Sequence, residues 1–427
     1  MQDIEKKASG DIKEYQNKEL IKLLLYLEEN SIFYRDHFVK NRINIHEIKS
    51  IHDIAKIPVT TKDDLQARNW DFLCVEKTKV VEYCCTSGTM GTPVTIALTE
   101  KDMERLAYNE YLSFLCTGGS DSDIYHLMLS LDRQFMAGIA YYAGARKLGA
   151  GIIRGGPGNF PMQLDTIERL SPNVLISVPS FIIQLINYAN EKNVDLNATS
   201  VKKIICIGEN IRNEDFSLNA LGDRIVKNWK VELFSTYAST EQQTAFTECS
   251  NGNGGHHHEE LMLFEILDEN NNPLPSGEYG ELAITTLGVQ GMPLLRYKTG
   301  DICAYYDQPC SCGRTSSRIS PVKGRKQQLI KYNGTTLYPQ SVFNVLNQIE
   351  YIQDYVVSIY KNDIGTDEMV INIAMPDSVK MHDNKIKQVL QSRLRVTPKI
   401  KYIALAEIIS MQMSDGKRKA SKLIDSR

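Results

Sequence analysis

Thr86-Ser87-Gly88-Thr89-Met90-Gly91-Thr92-Pro93 follows the strand-like run Val80-Val81-Glu82-Tyr83-Cys84-Cys85 and precedes a second one, Val94-Thr95-Ile96-Ala97-Leu98. Hydroxyls alternating with glycines are what a backbone offers to phosphate oxygens: the glycines permit close approach and positive φ, and the hydroxyls and N–H groups donate. The same composition also suits a plain linker. Clasping between two strand patterns, with Pro93 stiffening the exit, argues against a flexible tether. No Gly-Lys-Ser/Thr closes the stretch and no helix pattern follows it directly, so it is not a Walker loop. A phosphate site of another kind, on an α/β framework, is the expectation.

The rest of the chain sets the frame around that loop. At 427 residues it is long enough for two or three domains. A net charge of −3 with 24% charged residues gives no basic field for nucleic acid. The first residues lack a signal-peptide apolar core, and no run of about 18 apolar residues suggests a membrane span. Nine cysteines, an odd number without framework spacing, point to a reducing compartment with free or metal-bound thiols. A soluble cytoplasmic enzyme is expected, with no nucleic-acid or membrane partner.

Residues 1–70 read as helices with short connections, with Leu20, Leu23, Leu24, Leu25 and Leu27 on one apolar face. Ser31-Ile32-Phe33-Tyr34-Arg35 and Ile57-Pro58-Val59-Thr60-Thr61-Lys62 interrupt them. Between about 80 and 240, apolar runs at residues 124–129, 174–178 and 203–208 alternate with helical segments such as 181–193. That alternation favours a mostly parallel, covered sheet. Residues 260–305 look antiparallel, with strands at 261–267 and 280–286. From near Gly324 a smaller α+β module follows: strands at 355–360, 369–374 and 401–405 and a helix at 384–394.

Three further segments carry polar groups that a core would not want. Tyr237-Ala238-Ser239-Thr240-Glu241 ends an apolar run where α/β sheets place ligand-binding groups; the alternative is a helix cap. Arg296-Tyr297-Lys298-Thr299-Gly300-Asp301 places a carboxylate after a glycine turn, suited to both hydroxyls of a ribose or simply to solvent. Gly416-Lys417-Arg418-Lys419-Ala420-Ser421-Lys422 is a basic run which, alone, reads as a solvated tail.

In this order the motifs resemble the adenylate-forming superfamily of acyl-CoA synthetases and AMP ligases, in its phenylacetate–CoA ligase branch. The resemblance covers essentially the whole chain, including Asn333-Gly334-Thr335-Thr336-Leu337-Tyr338-Pro339 and the closing Lys419-Ala420-Ser421-Lys422-Leu423-Ile424-Asp425-Ser426-Arg427. It implies an ATP- and acid-binding domain at 1–324, a small mobile domain at 325–427, and a hinge near Gln327. Thr86, Ser87, Gly88, Thr89 and Gly91 would hold the β/γ-phosphates. Glu241 would help bind Mg²⁺, and Thr240 would bond the α-phosphate. Glu209 and Tyr237 match positions near the adenine, and Asp301, with Arg325 nearby, would take the ribose. A terminal lysine would bridge carboxylate and α-phosphate; Gly-Lys pairing favours Lys417, and counting back from the last residues favours Lys419, which is preferred. Thr92 stands where the family usually has lysine. Gln327 and Gln328 stand where it usually has aspartates.

Cys310-Ser311-Cys312, with Cys249 and the run His256-His257-His258, offers a Cys3His set; unrelated loop cysteines and a solvated histidine run are the alternative. The resemblance selects Cys249, His256, Cys310 and Cys312, with His258 as alternate, for a structural zinc pinning an antiparallel subdomain at about 245–322. Phe135, Tyr141, Tyr142 and Gly155 fall in the region that lines the family's acid pocket. The implied activity is conversion of a carboxylic acid, aromatic by its pocket, to acyl-adenylate and then acyl-CoA, with ATP, Mg²⁺ and CoA, in a possible homodimer. A ligase without CoA, which adenylates a deazaflavin cofactor or activates an aryl acid for a carrier protein, and a non-catalytic adenylate-binding protein are the rival readings.

Overall fold

A computed structural model describes residues 4–86, 94–332, 335–362, 367–376, 383–413 and 421–427. The chain forms two compact units, one of residues 1–299 and 303–321, the other of residues 300–302 and 322–427. No helix among the described residues is long and apolar enough to cross a membrane.

In the first unit the helix Ser9–Asn30 turns one stripe inward: Leu20, Leu23, Leu24 and Leu27 are buried. Each such leucine contributes roughly 1.5–3 kcal/mol relative to an exposed one. Leu25 departs from the expected stripe and is 46% exposed; at 100° per residue it lies off the arc that its neighbours bury. Ser31-Ile32-Phe33-Tyr34-Arg35 does not interrupt helical structure for long either. Ser31 alone breaks it, its Oγ accepting the Tyr34 N–H as the N-cap of a second helix, Ile32–Lys40.

A nine-stranded sheet organises this unit. Five strands are parallel, in the order Glu232–Ala238, Lys203–Ile207, Val174–Ser177, Ile124–Leu127 and Gly151–Arg154. The helices Met136–Leu148, Phe160–Leu170, Pro179–Glu191 and Ala220–Asn228 make the crossovers between them. Val174–Ser177 and Lys203–Ile207 are buried almost throughout, as doubly covered strands must be. After Ile124–Leu127 the chain goes out to Gly151–Arg154 and returns to Val174–Ser177 on the other side. Strand order therefore reverses there, opening a crevice at the carboxyl ends. Beyond Glu232–Ala238 the sheet turns antiparallel through Ala245–Glu248, Gly255–His256, Arg318–Ile319 and Tyr305–Tyr306. The hairpin Met262–Leu267 with Gly280–Thr286, and the pair Val80–Cys85 with Thr95–Thr99, are also antiparallel.

The second unit is a four-stranded sheet ordered Lys399–Tyr402, Asp367–Ala374, Asp354–Lys361, Leu423–Asp425. Its central pair is antiparallel and its outer pairings parallel. Period-two alternation gives each face a task. Tyr355, Val357 and Ile359 pack with Val342, Leu346, Ile386 and Leu390 of the helices Pro339–Asn347 and Asp383–Leu394. Val356 packs with Ile408 of the helix Leu405–Gln412 on the opposite face. Residues 401–405, expected as strand, divide between the end of Lys399–Tyr402 and the start of that helix.

Candidate functional site

Two adjacent parallel strands present the polar groups singled out above. Lys203–Ile207 leads through Gly208, at φ 75°, to Glu209, whose Oε2 accepts the Ser180 N–H at 2.9 Å, at the start of the helix Pro179–Glu191. A carboxylate there offsets the partial positive charge of the helix N-terminus. On the neighbouring strand Tyr237 is paired with Phe246, and its hydroxyl accepts the Gln242 Nε2–H at 2.9 Å. Thr240 and Glu241, half-buried, lie in the turn between Tyr237 and Gln242, and no helix follows them. The helix-cap alternative is therefore excluded.

That turn is held from behind by a residue that no local sequence pattern singles out. Buried Arg105, on the helix Glu100–Cys116, donates to Gln243 O at 2.8 Å, Thr244 Oγ1 at 3.0 Å and Leu287 O at 2.7 Å, and also to Leu261 O. Burial lowers its pKa to about 10, which leaves it cationic at neutral pH. Four acceptors share one guanidinium, whose rigid fork makes such bridging possible.

Thr86 is buried and closes the neck of the hydroxyl/glycine stretch: its N–H donates to Val94 O at 2.9 Å and its Oγ1 accepts from Val94 N at 3.1 Å. Ser87, Gly88, Thr89, Gly91 and Thr92 lie outside the described residues, as do Lys417 and Lys419. Asp301 belongs to the second unit, where it pairs with Arg325 across two antiparallel strands. Arg325 Nε donates to its Oδ1 at 3.1 Å, and Asp301 is buried while the Arg325 side chain is about half exposed.

Of the acid-pocket residues, Phe135 is half-buried at the entry to the helix Met136–Leu148, beside Arg133 and Gln134, both at φ 57°. Tyr141 is buried in the cluster with Phe114, Leu127 and Phe234, so core packing accounts for it without a substrate. Tyr142 is half-buried, with the guanidinium groups of Arg146 and Arg154 within 6 Å of its ring at 5.9 and 5.8 Å. Gly155 is required by close approach: a Cβ there would stand 2.2 Å from His126 Nε2.

The sulfur and imidazole groups converge. The ligand atoms of Cys249, His256, Cys310 and Cys312 all lie within 4.8 Å of one another. Cys249 Sγ is 3.7 Å from Cys310 Sγ, and Cys312 Sγ is 3.5 Å from His256 Nε2. A tetrahedral ion at about 2.3 Å from sulfur and 2.0–2.1 Å from nitrogen would space those pairs at about 3.8 and 3.6 Å, so the donor set fits. His256 Nδ1 faces Ser316 Oγ at 3.1 Å, which fixes the ring with Nε2 toward the sulfurs. Burial, then repulsion by Arg314, lowers the His256 pKa to about 3 and keeps it a neutral ligand. Burial raises Cys249 to about 12. For Cys310, burial acts upward, but hydrogen bonds from the Cys312 backbone and Asn251 bring it down to about 7.

The histidine run is not solvated: His256, His257 and His258 are all buried. His257 stacks on Phe246, and His258 turns away from the sulfurs, its Nδ1 bonded to Glu5 Oε1 and its Nε2 3.1 Å from Ser113 Oγ. Geometry therefore takes His256 over the alternate. Cys116, not singled out in the sequence, packs in the same cysteine cluster. No disulfide joins any of the nine cysteines.

Residues 33–291 match the family profile for AMP-binding enzymes, and residues 334–427 match the AMP-binding enzyme C-terminal domain. The chain belongs to the AMP-binding enzyme family. Among its relatives is a phenylacetate-coenzyme A ligase of Thermus thermophilus, 26% identical over 367 residues, covering 85% of this chain and 81% of that enzyme. Another is the phenylacetate-coenzyme A ligase of Escherichia coli, 23% identical over 435 residues, covering 99% and 97%. The fold matches that of a 2-hydroxyisobutyryl-CoA ligase solved with R3-HIB-AMP: TM-score 0.86 at 20% identity, covering 99% of this chain and 91% of that one.

Proposed function

We propose that this AMP-binding enzyme is an ATP-dependent acid–CoA ligase. The observation that carries the proposal is the grouping of Glu209, Tyr237, Thr240 and Glu241 at the carboxyl ends of two adjacent parallel strands, in a chain whose relatives include phenylacetate-coenzyme A ligases. In the first half-reaction a carboxylate oxygen attacks the α-phosphorus of ATP and pyrophosphate leaves. In the second, the CoA thiolate attacks the acyl carbon and AMP leaves.

Residues 86–91 would hold the departing phosphates, Thr240 the α-phosphate, Glu209 and Tyr237 the adenine, and Asp301 with Arg325 the ribose. Glu241 would supply a carboxylate to Mg²⁺, a hard ion that spreads phosphate charge. Lys419, with Lys417 the alternative, would offset charge as the acyl oxygen attacks. Rotation of the domain of residues 325–427 about a hinge near Gln327 would separate the two half-reactions. Phe135 and Tyr142 suit an aromatic acid. Cys249, His256, Cys310 and Cys312 would hold a zinc ion with all four positions filled by protein, a structural role; zinc there joins loops far apart in sequence. The unbridged thiols suit the cytoplasm.

ATP–pyrophosphate exchange across a panel of aryl and alkyl acids tests adenylation, and CoA-dependent consumption of the adenylate tests the acceptor. Exchange with no response to CoA would favour a ligase with another acceptor. Tight ATP binding with no exchange for any acid would leave only a non-catalytic binder.

A further inference from the structure

The segment Ile4–Lys6 makes contacts out of proportion to its length. Glu5 is only 6% exposed. Its Oε2 accepts from Arg314 Nε at 2.8 Å, its Oε1 from His258 Nδ1, and its backbone carbonyl from Thr315 N at 2.9 Å and Thr315 Oγ1 at 3.1 Å. Thr315 Oγ1 also donates to Lys7 O at 2.8 Å. Arg314 is bonded in turn to the metal-ligand set, its Nη1 donating to Cys312 Sγ at 3.6 Å. Cys312 is the one ligand of the four that is not fully buried.

We propose that Glu5 is a positioning residue for the metal centre: by fixing the Arg314 guanidinium it orients the Cys312 thiolate and clasps the loop that carries Cys310 and Cys312. The proposal rests on reading the Cys3His set as a metal site. The chemistry runs through charge and geometry together. Three thiolates on a divalent ion carry excess negative charge, and a guanidinium aimed at one sulfur offsets part of it. That guanidinium needs a fixed counter-charge on its other side, and Glu5 supplies it. His258, the second partner of the Glu5 carboxylate, reaches Ser113 on the helix Glu100–Cys116, so the clasp is braced against the rigid body of the first unit. The loop itself is a tight turn, Gly313 N to Cys310 O and Cys310 N to Arg314 O both at 3.0 Å. Fixing Arg314 therefore fixes both cysteines.

The test is metal content of the purified full chain, followed by the rate at which zinc passes to a chromophoric chelator. The wild type is expected to hold one zinc per chain. Glu5→Gln and Arg314→Met are expected to release it about 10- to 100-fold faster, and Glu5→Asp to lie between them and the wild type. A purely structural Glu5 would lower the melting temperature and leave the release rate of the folded protein unchanged; that result overturns the proposal. If Glu5→Gln does not fold, Arg314→Lys, which keeps the charge and loses the fork, takes its place with the same two deciding outcomes. A wild type that neither contains zinc nor takes it up would instead overturn the metal-site reading itself, a failure distinct from equal release rates in zinc-loaded variants.

Discussion

The Cys3His loops, proposed as a zinc site, and the strand ends of the first unit are built on opposite plans. At the Cys3His cluster the four donor atoms are already within 4.8 Å, three of the four residues are buried, and Ser316, Asn251 and Arg314 bond to the donor side chains. At the strand ends, Glu209, Tyr237, Thr240 and Glu241 are half-buried, and the support comes from below, through Arg105 and the Ser180 N–H. A structural centre has to be complete before folding ends, because its binding energy is folding energy. A substrate edge has to stay accessible, so rigidity is invested one layer down. The consequence is that damage at the first should appear as lost stability and damage at the second as lost turnover.

The strongest way to break that contrast is at the metal. Cys249→Ser should abolish zinc binding and lower stability by more than about 4 kcal/mol, as loss of a metal typically does. Elemental analysis and urea denaturation check it, and a variant without zinc but with wild-type stability would remove the structural role. Next in size is Arg105→Met, which takes this donor from Gln243 O, Thr244 Oγ1 and Leu287 O, at about 1 kcal/mol each, while Leu261 O keeps the Leu287 N–H. It should cost about 3 kcal/mol and also raise the KM for ATP, because the Thr240–Glu241 turn loses its brace. A stability loss with unchanged KM would confine Arg105 to packing. Glu241→Gln should slow ATP–pyrophosphate exchange about 100-fold, about 2.7 kcal/mol, while leaving the urea midpoint in place. An equal fall in stability would erase the distinction drawn here.

The smallest effect is a pH dependence inside the core. Burial raises the Glu110 pKa from 4.5 to about 8, against a weaker downward pull from Asn109. Between those values the folded chain keeps a proton that the unfolded chain has lost, so this group makes stability fall as pH rises from about 4.5 to 8. Glu110→Gln should flatten that part of the profile and raise stability at pH 8 relative to the wild type. Urea midpoints at pH 5, 6.5 and 8 measure it; a profile unchanged by the substitution would show that Glu110 is ionised throughout.

What could be read from sequence was whatever local pattern dictates. Val80–Cys85 and Gly280–Thr286 are strands over the residues expected from the sequence, and the hydroxyl-and-carboxylate end of the Glu232–Ala238 strand stands where α/β sheets carry ligand groups. The residue types offered a Cys3His set beside a reading of unrelated loop cysteines, and the family resemblance selected the four residues whose ligand atoms the structure brings within 4.8 Å of one another. The supports were not legible. Arg105 acts on Gln243, 138 positions away, and Glu5 on Arg314, 309 positions away. No periodicity or local spacing encodes such a partner. The burial of His257 and His258 belongs to the same class, since rings supplied by Phe246 and Phe264 and a carboxylate from Glu5 make a polar triplet tolerable inside. Leu25 and Ser31 failed for a simpler reason: a leucine count does not fix the arc a helix buries, and one serine can both end a helix and start the next.

The doubly bonded neck at Thr86 and Val94 bears on how this enzyme can be altered. A segment entered and left through one pair of residues is, in polymer terms, a loop closed at a fixed point, and doubling its length costs only about 0.6 kcal/mol in closure entropy. Insertions placed between Thr86 and Val94 should therefore leave the hairpin of Val80–Cys85 and Thr95–Thr99 standing. That makes this neck a natural point at which to graft segments of other lengths without redesigning the sheet.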